Sequence, residues 1–587
     1  MKPQAPPPQA YSEIEVVRLA WLAIFVSVFS FLFYYRQGDV LLYGDAVAHI
    51  NIARRVFDSR TPGLLQLGTV WLPLPHLLIM PFIVSMQMWQ GGSGGSIPSM
   101  AGFVLGVVGI FRLVRTTLNG DAEVSRAVTG GAWAAAILYA ANPNLIYMQS
   151  TAMGESLYLA LFIWAVVYFA EFSRGKPKAL TKCGLCLAAA CWTRYDGWFL
   201  AGVLVAGVLL VESRLRKARF RKEREREKDP NDRTPGPRFR VRRSRRVLWK
   251  FVLLAAAGPV LWLVYNAAVY RNPLEFANGP YSAKAIEQET ATMNPAKGNL
   301  LAAGSYFVKA AELDVAEASW LGRLWLALAL LGSVVAWFER RGRAALLLWS
   351  PLPFYALSVA YGSVPIFVPV WWPFSNYNLR YGLQLLPAFA VFVPLAISFI
   401  SESATRIPWV AASWSRWVGT AAVVGTLLLA ASSYAAIWRA DPICYREAAN
   451  NTRGLLALDR QVAEWIKSLP ADSTLLMYTG QHSGALQRAG IPLKRVINEG
   501  NHRVWKRPTD PEGLWERALV DPAAYADYVV GFEGDPVWAA ARERRLTALV
   551  ALQATGQPGA VIFLGRAQGR TQGPNDPIPK LLPGSAR

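Results

Sequence analysis

Residues 16–49 read VVRLAWLAIFVSVFSFLFYYRQGDVLLYGDAVAH, and this stretch decides what kind of protein the sequence encodes. Its first part, residues 16–35, is an almost continuous apolar run. A helix needs about 20 such residues to cross the hydrocarbon core of a bilayer. The run therefore predicts a membrane-spanning helix, and the polar residues after it predict a loop that carries ionisable side chains out of the membrane.

The same apolar pattern returns ten more times along the chain. The further predicted spans are 98–115, 127–147, 155–172, 179–193, 197–213, 249–270, 319–337, 344–361, 380–400 and 417–438. Of the 587 residues, 53% are hydrophobic and only 17% are charged, whereas soluble proteins average about 25% charged residues. We therefore predict a polytopic α-helical membrane protein with about 11 transmembrane helices, which excludes a purely soluble enzyme and a disordered chain.

One more apolar stretch, TVWLPLPHLLIMPFIVSMQMW at 69–89, is long enough to span but contains three prolines, each of which removes a helical hydrogen bond. Positive charge on short loops marks the cytoplasmic side of a membrane protein. If 69–89 does not cross, the basic loops all face the cytoplasm. We therefore predict an interfacial or re-entrant segment on the outer side, with the N-terminus cytoplasmic and the C-terminus outside.

The formal net charge of +22 has a local cause. Residues 214–250 hold 17 Lys or Arg and 5 Asp or Glu between two apolar runs. Such a loop anchors topology and contacts anionic lipid, and no folded RNA-binding motif accompanies it, so a nucleic-acid partner is disfavoured.

The cysteines show neither a zinc-ligand nor a disulfide pattern. Three of them, Cys183, Cys186 and Cys191, are interpreted as small residues of the membrane core.

The spans divide the chain into three predicted parts. These are a cytoplasmic tail at 1–15, a transmembrane domain at 16–438 and an outer domain at 439–587. The transmembrane domain contains an outer catalytic loop at 36–97, a basic cytoplasmic loop at 214–248 and a second outer loop at 271–318. Helix and strand patterns alternate in the outer domain, which predicts a small α/β fold.

Ionisable residues beside membrane spans are costly and therefore indicate function. Here they gather on the predicted outer side. The candidates are Asp45, His49 and Arg54 in the first outer loop, Glu155 in STAMGESLYL, Arg194 and Asp196 in CWTRYDGW, and Arg380 and Tyr381 in SNYNLRYGLQLLP. Asp45 and His49 lie four residues apart, so a helix places them on one face. Each candidate also has a structural alternative: a helix cap for Asp45 or Glu155, packing for His49, an Arg194–Asp196 ion pair, lipid-headgroup contact for Arg54, and extension of Arg380 to the membrane interface.

Carboxylates and arginines at an outer leaflet favour one class of chemistry. A carboxylate can take a proton from an attacking hydroxyl, and the planar guanidinium matches phosphate oxygens. Together they predict transfer of a group from a lipid phosphate to a hydroxyl. The sequence has no P-loop, dinucleotide-binding glycine pattern or nucleophile-elbow serine in the right context, which disfavours nucleotide-dependent reactions and serine hydrolysis.

The order of these motifs resembles the GT-C superfamily of integral-membrane glycosyltransferases, most of all the family 39 branch with its protein mannosyltransferases and aminoarabinose transferases. The first-loop acid corresponds to Asp45 in YGDAVAH, the proline-containing juxtamembrane segment to WLPLPHLLIMPF, and the acid after the third span to Glu155. RYDGW and LRYGLQLLP resemble the later arginine motifs. The resemblance covers about residues 16–400. It departs in the first loop, where the family commonly has two adjacent acids and this chain has Gly-Asp-Ala.

The resemblance implies an inverting glycosyltransferase of a bacterial-type inner (plasma) membrane. It would move a sugar from a polyprenyl-phosphate donor to a hydroxyl or amine acceptor, on a glycan, a lipid or a protein, at the outer face. We expect Asp45 and His49 to be catalytic, with His49 orienting Asp45, and Glu155, Arg194, Asp196, Arg380, Tyr381 and Arg54 to bind substrate; the resemblance supports Asp45, Glu155 and the two arginine motifs, whereas His49 and Arg54 are expected from their positions in the first loop. The only cofactor that these residues suggest is a divalent metal ion held by Asp45 and His49. The alternatives are a transporter or lipid flippase, with ionisable residues near the bilayer midplane, and a non-catalytic scaffold of envelope assembly.

Overall fold

The structure, a computed structural model, describes residues 8–118, 126–226, 238–290, 293–339, 342–404, 417–501 and 513–566. Long helices make up most of it. In chain order the helices are α1 (Pro8–Gln37), α2 (Gly44–Arg55), α3 (Leu74–Ile79), α4 (Met86–Gln90), α5 (Ser93–Leu118), α6 (Arg126–Ala140), α7 (Pro143–Gln149), α8 (Glu155–Ser173), α9 (Pro177–Cys191), α10 (Asp196–Arg226), α11 (Arg238–Tyr270) and α12 (Glu275–Asn278). They continue with α13 (Ala283–Thr290), α14 (Leu300–Val315), α15 (Ser319–Phe338), α16 (Pro351–Tyr361), α17 (Leu386–Ala404), α18 (Val418–Arg439), α19 (Ile443–Lys467), α20 (Ser483–Ala489), α21 (Leu514–Val520), α22 (Pro522–Tyr525) and α23 (Pro536–Glu543).

The predicted class, a polytopic helical membrane protein, is confirmed. Within the described residues, nine helical stretches are long and apolar enough to cross a membrane. They correspond to nine of the eleven predicted spans. The other two predictions, 127–147 and 179–193, fall on α6 and α9, whose described helices have 15 residues each.

Residues 69–89 do not form one helix. They contain the short helices α3, of six residues, and α4, of which Met86–Trp89 belong to the stretch. Pro73 and Pro75 lie at the start of α3, where a missing N–H does no harm, and α3 ends two residues before Pro81. The prolines therefore break this apolar stretch into pieces too short to span a bilayer.

Helix α8 lies in the middle of the bundle, and 15 of its 19 residues are buried. Helix α5 packs directly on its first turn: a Cβ on Gly102 would stand 2.7 Å from the backbone of Leu157, so the two helices meet at a distance that only glycine allows. Helix α1 is peripheral and exposes a stripe of aromatic residues, Trp21, Phe25 and Phe29, as expected of a surface that faces lipid. The central position of α8 places its first residue, Glu155, deep inside the protein.

The C-terminal part contains a five-stranded sheet, which confirms the predicted α/β fold. The strands are β1 (Leu475–Met477), β2 (Val496–Ile497), β3 (Tyr528–Phe532), β4 (Ala548–Leu552) and β5 (Ala560–Leu564), in the order β2-β1-β3-β5-β4. Strand β1 pairs in parallel with β2 and β3, in the registers Leu475↔Val496 and Leu475↔Tyr528. Strand β5 is antiparallel to β3 and β4.

Hydrogen bonds join the sheet region to the segment between α1 and α3. Asn51 of α2 donates to Gln487 Oε1 of α20 at 2.8 Å, and Gln66 donates to the carbonyl of Gly500 at 2.9 Å. One continuous hydrophobic core runs from the membrane helices into α19 and the sheet. The domain boundary at 438/439 stays a prediction, but these contacts hold α2, and with it Asp45, against the C-terminal part.

Candidate active site

Arg380 is the hub of a buried ionic network in which the sequence candidates meet. Its Nη2 lies 2.6 Å from Asp45 Oδ2, and its Nη1 lies 2.8 Å from Glu447 Oε1. Its Nε is 3.4 Å from Glu155 Oε1 without forming a hydrogen bond. One guanidinium thus joins three carboxylates that are separated by up to about 400 residues in the sequence.

Arg194 forms the second half of the network. Its Nη1 donates to Glu155 Oε1 at 2.9 Å, its Nε to Asp196 Oδ2 at 3.3 Å, and its Nη2 to the hydroxyl of Tyr355 at 3.0 Å. Tyr355 in turn donates to Asp196 Oδ2 at 3.0 Å. Because Glu155 Oε1 lies beside both guanidinium groups, it links the two halves into one cluster.

Aromatic rings flank the two guanidinium groups. The ring of Tyr381 lies 5.1 Å from the guanidinium carbon of Arg194 and 5.1 Å from that of Arg380. The ring of Tyr43 lies 5.0 Å from Arg380. Cation–π attraction favours this arrangement, so Tyr381 helps to hold the two arginines side by side.

Three of the four acids of the cluster lie at helix starts. Asp45 is in the first turn of α2, Glu155 is the first residue of α8, and Asp196 is the first residue of α10. A carboxylate is stabilised there by the positive end of the helix dipole. Arg380 lies in a short 3-10 segment, Leu379–Leu385, just before α17. Apart from Glu447, which lies within α19, the charged groups therefore belong to segment ends that the bundle brings to one place.

Exposure distinguishes the carboxylates. The side chain of Asp45 is 39% exposed, whereas those of Glu155 and Glu447 are 1% exposed. Glu155 Oε2 and Asp196 Oδ1 are buried without a hydrogen-bond partner among the described residues. Asp45 is thus the accessible acid of the cluster, and the two unpartnered oxygens can accept hydrogen bonds from a bound molecule.

Glu447 and Tyr355 belong to the cluster but were not identified from the sequence. Glu447 lies on α19, and its Oε2 also accepts a hydrogen bond of 2.6 Å from the backbone N–H of Leu379. In the sequence of an amphipathic helix, a buried glutamate looks the same as an exposed glutamate at the border between the apolar and the polar face. Tyr355 lies in α16, where a tyrosine is ordinary for an apolar helix. Only the three-dimensional packing singles these two out.

His49 and Arg54 have other partners in this structure. His49 Nδ1 lies 2.8 Å from His76 Nε2, and its ring packs against Trp71 at 5.0 Å. Arg54 donates to Asp58 at 2.8 Å and to the carbonyl of Ile83 at 2.5 Å. Arg54 therefore ties the end of α2 to the segment that follows α3, and the hydrogen bond of Asp45 goes to Arg380 rather than to His49.

Protonation of the histidine pair gives a testable pH dependence. Burial lowers the pKa of His49 and lowers that of His76 well below 6.5, with His49 and Arg55 adding to the effect at His76. Below pH 6.5 the two imidazoles therefore bind protons in the unfolded chain but stay neutral in the folded protein. The free energy of unfolding consequently decreases as the pH falls. We expect the unfolding temperature in detergent to drop between pH 6.5 and 5, and to drop less in His76→Gln. Equal drops in both proteins would contradict this.

Metal binding is a separate question. In the part of the chain that the structure describes, no three His, Cys, Asp or Glu side chains are grouped to hold a metal ion. Asp45 and His49 alone would supply two ligands, and their described contacts with Arg380 and His76 occupy Oδ2 and Nδ1. A divalent ion at these two residues stays a prediction.

Solved structures of one protein show a similar fold. The crystal structure of ArnT from Cupriavidus metallidurans bound to undecaprenyl phosphate matches with a TM-score of 0.51 and 13% identity, over 94% of this chain and 98% of that chain. Its apo structure matches with a TM-score of 0.50 and 11% identity, over 95% and 98%. The archaeal oligosaccharyltransferase AglB from Archaeoglobus fulgidus is a more distant match, with a TM-score of 0.42 and 12% identity over 94% of this chain and 74% of that chain.

The similarity is one of fold rather than of sequence. No protein-family model and no curated protein sequence matches the chain. The structural match to ArnT nevertheless covers nearly the full length of both chains. The fold expected from the sequence motifs is therefore confirmed: this chain is a polytopic membrane protein with a GT-C-like fold.

Proposed function

We propose that this protein is an inverting membrane glycosyltransferase that uses a polyprenyl-phosphate sugar at the outer face of a bacterial-type inner membrane. The observation that carries the proposal is the cluster itself, in which one accessible carboxylate, Asp45, lies beside two arginines. The similarity to an ArnT structure with bound undecaprenyl phosphate supports this type of donor. The acceptor is a hydroxyl or an amine.

In the proposed reaction, Asp45 is the general base. The acceptor oxygen attacks the anomeric carbon of the sugar on the face opposite to the phosphate. The bond between that carbon and the phosphate oxygen breaks, and its electron pair leaves with the polyprenyl phosphate. The proton of the acceptor passes to the Asp45 carboxylate, a transfer that typically contributes about 10²–10⁴-fold to a rate.

Arg194 and Arg380 bind the phosphate of the donor. Guanidinium groups form short paired hydrogen bonds with phosphate oxygens, and here they offset the negative charge that grows on the leaving group. Arg380 also prepares the base. Its Nη2 donates a hydrogen bond of 2.6 Å to Asp45 Oδ2 in the structure. When the substrate phosphate accepts this hydrogen bond instead, the Asp45 carboxylate is released towards the acceptor.

Glu155 and Asp196 bind the sugar. Each holds Arg194 with one oxygen and keeps a second, buried oxygen without a partner among the described residues. Sugar hydroxyls can donate to those oxygens. An aminosugar is equally suited, because the four acids of the cluster outnumber its two arginines.

The charged positions favour an enzyme over a transporter. A transporter or flippase needs ionisable groups near the bilayer midplane, in broken helices. In this structure Asp45, Glu155 and Asp196 lie in first helical turns. A scaffold protein, the other alternative, needs no buried ionic cluster with an accessible acid at its edge.

The function is tested with purified protein in lipid and undecaprenyl-phosphate sugars, with and without hydroxyl acceptors. We expect the sugar to leave its lipid phosphate in the presence of an acceptor of the right class, and the product to show inverted configuration at the anomeric carbon. Retention of configuration would refute the proposed single displacement. Failure to bind any polyprenyl-phosphate sugar would refute the donor class.

Arg194→Lys tests the phosphate contact while keeping the positive charge. A lysine cannot serve Glu155, Asp196 and Tyr355 at once, because it lacks the planar guanidinium fork. Loss of one charge-assisted hydrogen bond of about 1.5–3 kcal/mol corresponds to about a 10- to 100-fold decrease in kcat/KM. We expect this decrease together with weaker donor binding.

Arg112→Lys is the matched control for that experiment. Arg112 donates through two nitrogens to Glu171, at 3.0 and 2.6 Å, near the C-terminal end of α8 and away from the cluster. The control should keep wild-type turnover. If the two variants are equally active, Arg194 does not contact the donor.

A further inference from the structure

An apolar groove of about 800 Å³ lies outside the ionic cluster, between α14, α15 and α16. Its walls include Leu301, Val308, Leu352, Val370 and Trp371. Leu301 is exposed over 86% of its surface, so the groove opens sideways from the helices. Its volume lies in the range of small-molecule sites, about 300–1,000 Å³.

The groove is separated from the proposed active site by the contact between α14 and α16. On the inner side, Phe307 stacks on Tyr355 at 4.6 Å, and Tyr355 bonds Arg194. On the opposite side of the contact between α14 and α16, which faces away from the ionic cluster, Gly304 and Ala356 line the groove. A lipid in the groove would therefore lie behind the wall of the active site rather than in it.

One end of the groove is polar and carries a positive charge. Lys309 is buried there and donates to Glu312 Oε2 at 2.9 Å and to Ser319 Oγ at 3.1 Å. Arg323, one turn further along α15, is exposed and donates through Nε to the carbonyl of Ser319 at 3.3 Å. Among the described residues Lys309 has an acidic partner and Arg323 has none, so this end of the groove has a formal charge of +1.

Aromatic residues indicate where this end lies relative to a membrane. Trp371 lines the groove, and Trp320 and Trp372 follow the lining residues Ser319 and Trp371 in the chain; all three expose large ring surfaces. Tryptophans concentrate at the level of lipid headgroups. We therefore expect the charged end of the groove to lie at the membrane interface and its apolar walls to extend into the hydrocarbon region.

We propose that the groove binds one anionic phospholipid, with its phosphodiester at Arg323 and Ser319 and its acyl chains along the apolar walls. The single negative charge of such a headgroup matches the charge of +1 at the polar end. The proposal is independent of the proposed function, because the occupant is a membrane lipid and not the sugar donor. The bound lipid would brace α14 and α16, which form the wall behind Tyr355.

The test is native mass spectrometry of the full-length protein in detergent, titrated with phosphatidylglycerol or phosphatidylcholine. We expect one phosphatidylglycerol to bind at least tenfold more tightly than phosphatidylcholine. Arg323→Gln should weaken phosphatidylglycerol binding about tenfold and weaken binding of the zwitterionic phosphatidylcholine clearly less, so that the preference for phosphatidylglycerol is lost. Arg343→Gln is the control, since Arg343 is likewise exposed and donates to a backbone carbonyl, that of Trp337 at 2.8 Å.

Gly304→Phe fills the groove. A Cβ at Gly304 would meet only Ala356, at 3.9 Å, so the ring has space inside the groove. The control is Gly202→Phe, at an exposed position of α10 where a Cβ meets nothing within 4 Å. In detergent without added phospholipid both variants should unfold at the wild-type temperature, and with phosphatidylglycerol only Gly304→Phe should fail to bind the lipid.

Two results would overturn the proposal. In the first, Gly304→Phe retains phosphatidylglycerol as well as Gly202→Phe does. In the second, undecaprenyl phosphate displaces phosphatidylglycerol from the wild type and Gly304→Phe abolishes binding of both lipids, which would make the groove part of the donor site. Loss of glycosyltransfer activity alone does not bear on the proposal, because the readout is lipid binding.

Discussion

Asp45→Asn is expected to lower turnover by about 10²- to 10⁴-fold, the contribution of a general base. Asparagine keeps the shape of the side chain but cannot take the proton of the acceptor. The fold should survive, because Asp45 is 39% exposed and Arg380 keeps its buried partner Glu447. The measurement is release of sugar from an undecaprenyl-phosphate donor by wild type and variant at equal protein concentration.

Two controls make this result specific. Glu464→Gln removes another carboxylate, an exposed one paired with Lys467 on α19, and should leave turnover unchanged. Donor binding to Asp45→Asn should stay within a few-fold of wild type, because in the proposed reaction the arginines, and not Asp45, hold the phosphate. Wild-type turnover in Asp45→Asn would refute the role of Asp45, and loss of donor binding would make it a binding residue instead.

The sequence was most informative about residues at the ends of apolar runs. Asp45, Glu155, Asp196 and Arg380 could be recognised because a charge beside a membrane span is costly. The structure brings these four, with Arg194, into one cluster. Their meeting in one cluster agrees with the expectation that they lie on one side of the membrane, and which side that is stays a prediction.

Other parts of the cluster could not be inferred from the sequence, for physical reasons. Glu447 lies on α19, far along the chain from Arg380's other partners, and hydrophobic periodicity describes only which face of a helix is buried. It does not say which charge on that helix is buried with a partner. The pairing of His49 with His76 depends in the same way on how α2 packs against α3, and spacing within the first loop indicated only a shared helix face for His49 and Asp45.

Arg380→Gln is expected to have the largest effect on stability. It leaves Glu447, only 1% exposed, without its cation. Removing one partner of a buried ion pair costs about 3–5 kcal/mol, because the remaining charge stays buried. The double variant Arg380→Gln/Glu447→Gln should recover most of this loss, since neither charge is then left alone. Thermal and denaturant unfolding in detergent measure both effects.

Arg446→Gln is the control on the neighbouring residue of α19. Its ion pair with Glu317 is partly exposed, at 28% and 35% for the two side chains, and such pairs contribute about 0–1 kcal/mol. If the double variant is as unstable as Arg380→Gln, Glu447 is not the partner that matters. If stability returns in the double variant while turnover stays lost, the two functions of Arg380 separate: it neutralises a buried acid in the fold, and it binds the phosphate and releases Asp45 in the reaction.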